Sequence, residues 1–118
     1  MVNNQKICGL IGLATKAGKI VAGTDACLQE IDKRNVKLLI LAIDASDRTK
    51  NVFKEKCKQL NINIYEKLTI NEISNSIGKS NKAVLGIKDN GFAKAMNKII
   101  NGGWNDWVNL KYMNLLKS

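Results

Sequence analysis

The sequence predicts an α/β protein, a three-layer α/β/α sandwich with a mostly parallel central sheet. Three observations lead there. Residues 36–43 (VKLLILAI) are almost continuously apolar and rich in β-formers, as befits a strand covered on both faces. Segments with apolar residues at helical spacing alternate with short apolar runs, and such alternation favours parallel pairing through right-handed crossovers. With 118 residues, 45% of them hydrophobic and few of them aromatic, the chain suits one domain with an aliphatic core.

The elements follow in order. Ile7, Leu10, Ile11 and Ala14 fall at i, i+3, i+4, i+7 and define a helix over residues 3–16, with Gly18 as its stop. Ile20, Val21 and Ala22 make a short strand. Gly23, Thr24 and Asp25 open a second helix, with Thr24 or Asp25 as its cap and Cys27, Leu28 and Ile31 on its inner face. The central strand runs into a loop of Asp44, Ala45, Ser46 and Asp47. A helix over 48–60 turns Val52, Phe53, Cys57 and Leu60 to one side, and residues 62–65 form the next strand.

Thr69 caps a helix that runs to Ile77, and Glu72, three residues on, completes a capping box; Gly78 ends it. Residues 83–87 are a further apolar strand. Phe92, Ala95, Met96, Ile99 and Ile100 form the stripe of a last helix, stopped by Gly102 and Gly103. This gives a domain over residues 1–101 and a helical extension over 102–118. In the extension Trp104, Trp107 and Val108 share a helical face that Tyr112 and Leu115 continue. The segment from Trp104 to Leu116 therefore covers its own domain or docks a protein partner.

Composition narrows the function. The net charge is +9, and apart from Arg34 and Arg48 every basic residue is lysine. Such an excess favours polyanionic partners through counterion release. No apolar run is long enough to span a membrane, and residues Met1 to Lys6 lack the pattern of a signal peptide. A cytoplasmic protein with no membrane partner is expected. Cys8, Cys27 and Cys57 are odd in number and widely spaced, so they read as small buried hydrophobes rather than a disulfide framework or zinc site.

Histidine is absent, which removes the commonest general base and metal ligand and argues against an enzyme. Gly18-Lys19 looks like the end of a phosphate-binding loop, but Leu13 and Ile20 stand where that motif needs glycine and Ser or Thr. Gly9 and Gly12 lie within the first helical stripe and read as points of close helix packing. Asp44 and Asp47 could hold a magnesium ion at the end of the central strand, yet caps for the next helix are the better reading.

Two stretches carry binding chemistry. In residues 12–29, Lys16 and Lys19 precede the glycine turn at Gly23, and the helix start beyond it offers unpaired N–H groups to phosphate. In residues 77–82 (IGKSNK), Lys79, Ser80 and Lys82 form a basic, donor-rich connection that could meet sugar and phosphate.

Taken in order, GLATKAGKIVAG, LAIDAS, IGKSNKAVLGI and NGFAKAM resemble the kink-turn-binding ribosomal-protein superfamily of the archaeal L-seven-Ae type, nearest its bacterial YlxQ-like branch. The resemblance covers roughly residues 4–101. It implies an α/β/α sandwich that binds RNA without a cofactor and sits on ribosomes or in other ribonucleoproteins. It assigns the groove-entering turn to Gly23, Thr24, Asp25, Ala26 and Gln29. The loop after the central strand becomes Asp44 to Ser46, and the loop that closes over a flipped-out nucleotide becomes Gly78 to Ala83. Kink-turn binders of this type carry Asn and Glu after Gly-Thr, with Lys three residues beyond the Glu; here Asp25, Ala26 and Gln29 stand there.

The expectation is a non-catalytic protein on structured RNA, ribosomal RNA foremost, in association with ribosomes or translation. Its RNA-binding residues are Lys16, Lys19, Gly23, Thr24, Asp25, Gln29, Asp44, Ser46, Lys79, Ser80 and Lys82. The competing expectation is a protein-interaction adaptor that kept the fold and lost kink-turn specificity.

Overall fold

The computed structural model describes residues 2–102, with side chains from residue 4 onward. The elements are α1 (Val2–Lys16), β1 (Ile20–Ala22), α2 (Thr24–Asp32), β2 (Leu38–Leu41), α3 (Asp47–Leu60), β3 (Asn63–Glu66), α4 (Ile70–Ser76), β4 (Val84–Ile87) and α5 (Asn90–Ile100). The expected segment from Trp104 to Leu116 and its docking lie outside the described residues.

One four-stranded sheet has the order β1-β4-β2-β3. The helices cover it on two sides: α1 packs on α4 and α5, while α2 lies over β1 and β4 and α3 over β3. Every residue of β2 is fully buried, as is expected of a strand that both helical layers cover. Ile7 and Ile11 fill the core from α1, Cys27 and Ile31 from α2, Phe53 and Cys57 from α3, and Met96 from α5.

Strands β1, β2 and β3 run in one direction, so the sheet is mostly parallel in sense. Only β2 and β3, however, pair in parallel; β4 opposes both of its neighbours. The reason lies in α4. A parallel crossover needs a helix that carries the chain back along the whole strand. The seven residues of α4 rise only about 10 Å. The chain therefore re-enters the sheet at the end it left, where Ala42 N–H donates to Ala83 C=O at 2.8 Å. From there β4 can only run backwards.

Local chemistry sets the helix ends. Ser46 caps α3 by accepting from Thr49 N–H at 3.1 Å. Thr69 and Glu72 form the expected capping box on α4, and Asp89 accepts from Phe92 N–H at the start of α5. The start of α2 differs from the sequence expectation: its N-cap is Gly23, and neither Thr24 nor Asp25 caps it. Gly23 has φ 98° and ψ 156°, a region open essentially to glycine alone. The chain can thus turn sharply from β1 into α2, but no side chain of suitable reach sits at the cap.

Close packing at the N-terminal glycines is not found. A Cβ on Gly9 would meet nothing within 4 Å, and one on Gly12 would make ordinary contact with the Ser76 carbonyl. The tight approach is at Gly86, where a Cβ would come within 2.9 Å of Val21 Cγ1 and 3.2 Å of Val36 Cγ2.

Candidate functional site

Three connections meet at one end of the sheet. Gly23 follows β1, the 42–46 loop follows β2, and the 77–83 loop leads into β4. Gly23 N–H donates to Val84 C=O at 3.0 Å, which joins the first to the third. Ala42 N–H on Ala83 C=O joins the second to the third. The topology thus brings Gly23, Thr24, Asp25, Asp44, Ser46, Lys79, Ser80 and Lys82 to one end, with Gln29 exposed further along α2.

The 77–83 loop is held from inside. Ser74 is buried, and its hydroxyl accepts from Lys82 N–H at 2.8 Å while its carbonyl accepts from Lys79 N–H at 2.9 Å. Gly78 at φ 69° and Asn81 at φ 55° supply the two left-handed turns the loop needs. Lys79, Ser80 and Asn81 are exposed as a result. The Lys82 side chain runs back over the α2 turn, with Nζ 3.4 Å from where a Cβ on Gly23 would lie.

The start of α2 faces the same space. No side chain caps it, so its first-turn N–H groups and partial positive charge are presented to whatever approaches. Helices α3, α4 and α5 all have side-chain caps.

Asp44 and Ser46 are engaged in structure. Asp44 Oδ1 accepts from Ile70 N–H at 2.8 Å, and Ser46 caps α3. Both remain exposed. Among the described residues no three His, Cys, Asp or Glu side chains group so as to hold a metal ion.

Lys16 and Lys19 are not beside the Gly23 turn, contrary to the sequence expectation. Strand β1 carries the chain across the sheet between them, a span of about 13 Å from Lys19 to Gly23. Lys19 lies at the far end, where its carbonyl accepts from Lys88 N–H at 2.8 Å. Sequence reasoning also missed Arg48, which lines a groove between α2 and α3 with Thr24, Asp25 and Leu28. Its position on α3 was legible, but only the placement of α3 across this groove from α2 brings it near Asp25.

A sheet between two helical layers, with three loops and an uncapped helix at one end, defines a small α/β/α domain. A family comparison matches residues 5–97 to the ribosomal protein L7Ae/L30e/S12e/Gadd45 family, and the chain belongs to that family. It is 40% identical over 100 residues to a protein named RNA-binding protein YlxQ from Enterococcus faecium, covering 85% of this chain and 96% of the relative. A second protein of that name, from Bacillus subtilis, is 37% identical over 92 residues, covering 77% of this chain and 88% of its own.

Among solved structures, a protein of unknown function from Bacillus halodurans superposes with a TM-score of 0.78 at 29% identity, covering 81% of this chain and 97% of that one. The Giardia lamblia 15.5kD RNA binding protein shares the fold at a TM-score of 0.72 and 16% identity, covering 86% and 88% of the two chains.

Proposed function

We propose that this chain is a non-catalytic RNA-binding protein that engages structured RNA through the loop end of its sheet. The observation that carries the reading is the pairing of an uncapped α2 start with the Lys82 ammonium held over it. N–H groups at a helix start, partial positive charge and a lysine are what a phosphate requires. Exposed Lys79 and Ser80 extend the surface along a strand of RNA. The relatives named as RNA-binding proteins support the same reading.

Within it, ribosomal RNA is the foremost partner, and the protein works in association with ribosomes. Phosphate attraction is kept at this end, while Asp25, Ala26 and Gln29 alter the set that reads bases in kink-turn binders. The test is binding to ribosomal RNA fragments against duplex DNA at moderate salt, read by fluorescence anisotropy. Tighter binding to the RNA, weakened by Lys82→Gln, is expected. Equal affinity for the two nucleic acids removes the RNA-specific part. Protein partners still retained from an RNase-treated lysate would instead favour the adaptor.

A further inference from the structure

The end of the sheet away from the loops carries a row of lysines. Lys88 N–H donates to Lys19 C=O at 2.8 Å, and Lys37 N–H donates to Ile87 C=O at 2.7 Å. Continuing the register Ile20↔Ile87 by one residue sets Lys19 beside Lys88 just beyond the ends of β1 and β4, while Lys37, just before β2, bonds to Ile87, the residue that precedes Lys88. Lys16 ends α1 at the same end, and Arg34 stands in the connection from α2 to β2. Like charges placed directly opposite one another repel, so the row works against folding unless something neutralises it.

The chain itself does so only in part. Glu30 pairs with Lys88 at 3.0 Å and with Lys33 at 3.6 Å, and Asp32 pairs with Lys56. Lys16, Lys19 and Lys37 are exposed and make no ion pair among the described residues. The loop end, by contrast, mixes Arg48, Lys79 and Lys82 with Asp25, Asp44 and Asp47. The end opposite the loops therefore carries three exposed lysines with no carboxylate paired to them among the described residues.

We infer that Lys16, Lys19 and Lys37 form a second contact for the RNA phosphodiester backbone, reached by a helical stem that extends past the loop-bound segment. The inference rests on the RNA-binding reading above. A polyanion with regular charge spacing suits a row of lysines that lacks base-reading groups, and the row spans about 10 Å across two strand spacings.

The test uses two RNA hairpins with the same bulge, one with a stem of about 16 base pairs and one of about 4. The variant is Lys16→Gln/Lys19→Gln/Lys37→Gln, all at exposed positions, with its fold checked by circular dichroism. On the long hairpin its Kd should rise about tenfold and its log–log salt slope should fall by about 2. On the short hairpin it should match the wild type, and the triple Lys→Arg variant should restore binding to the long one. An unchanged Kd and slope on the long hairpin, with Lys82→Gln still weakening binding, overturns this contact and leaves the loop-end reading standing. Equal losses on both hairpins overturn it as well. A wild type that binds neither hairpin removes both readings.

Discussion

The hydroxyl of Ser74, a residue only 3% exposed, accepts a hydrogen bond from the backbone N–H of Lys82 at 2.8 Å. This bond fixes the loop that carries Lys79, Ser80 and Lys82. Ser74→Ala leaves the Lys82 N–H without its partner and should cost about 1–3 kcal/mol in urea denaturation. Amide exchange separates a loosened loop from a general loss of stability. The Lys82 amide should exchange faster, while the Lys79 amide keeps its bond to the Ser74 carbonyl and stays protected.

Gly23→Ala should destabilise the fold by about 1–3 kcal/mol, because φ 98° with ψ 156° is a conformation that a Cβ opposes. The new Cβ would also take up the contact with the Lys82 side chain, whose Nζ lies 3.4 Å away. Affinity for RNA should fall with it, since the turn positions both the α2 start and the lysine. Thermal unfolding and anisotropy on the same sample check the two effects.

Much of this end could be read before the structure. The capping box at Thr69 and Glu72 and the stop at Gly78 are local chemistry, and local chemistry is written in short stretches of sequence. The order of helices and strands was legible for the same reason. The direction of β4 was not, because it depends on how far α4 carries the chain, and that is a matter of length against the sheet rather than of residue type. The separation of Lys16 and Lys19 from Gly23 was lost in the same way. They are near in sequence, but an extended strand converts a few residues into opposite ends of a layer. Arg48 required the placement of α3 across a groove from α2, which no pattern within α3 records.

Gly86→Ala should be more harmful than its small added volume suggests. Its Cβ would meet Val21 Cγ1 at 2.9 Å and both methyls of Val36 at 3.2 and 3.3 Å, inside a strand whose every residue is buried. Overpacking of this kind costs about 1–3 kcal/mol. Val36→Ala in the same chain should recover part of the loss, and denaturant midpoints of the single and double variants measure it.

Burial pushes the Cys27 thiol from 9.0 up to about 12 and the Cys57 thiol up to about 11. Both should resist iodoacetamide at pH 8 in the native protein and react once it is unfolded, with mass spectrometry assigning the sites. The linkage has a definite sign. Above about pH 9 the unfolded chain loses these protons while the native state keeps them. The contribution is fully present below pH 9 and is lost as pH rises through the native values. Urea midpoints should therefore fall between pH 9 and 11, and less steeply in Cys27→Ala.

Ala26→Glu with Gln29→Lys should restore a base-reading set to α2. Glu at position 26 can accept from base amino groups, and Lys at position 29, which is exposed, can pair with phosphate. A hydrogen bond to a charged group contributes about 1.5–3 kcal/mol, so the preference for a kink-turn RNA over a straight duplex of equal length should rise at least tenfold. The wild type should show a small preference, since Ala26 offers no acceptor and Gln29 no charge. The salt slope separates the two substitutions: Gln29→Lys alone should raise it by about 1 on any RNA, whereas Ala26→Glu alone should change the preference between RNAs. A double variant that binds both RNAs more tightly by the same factor would mean that only charge had been added, and that this turn does not read bases.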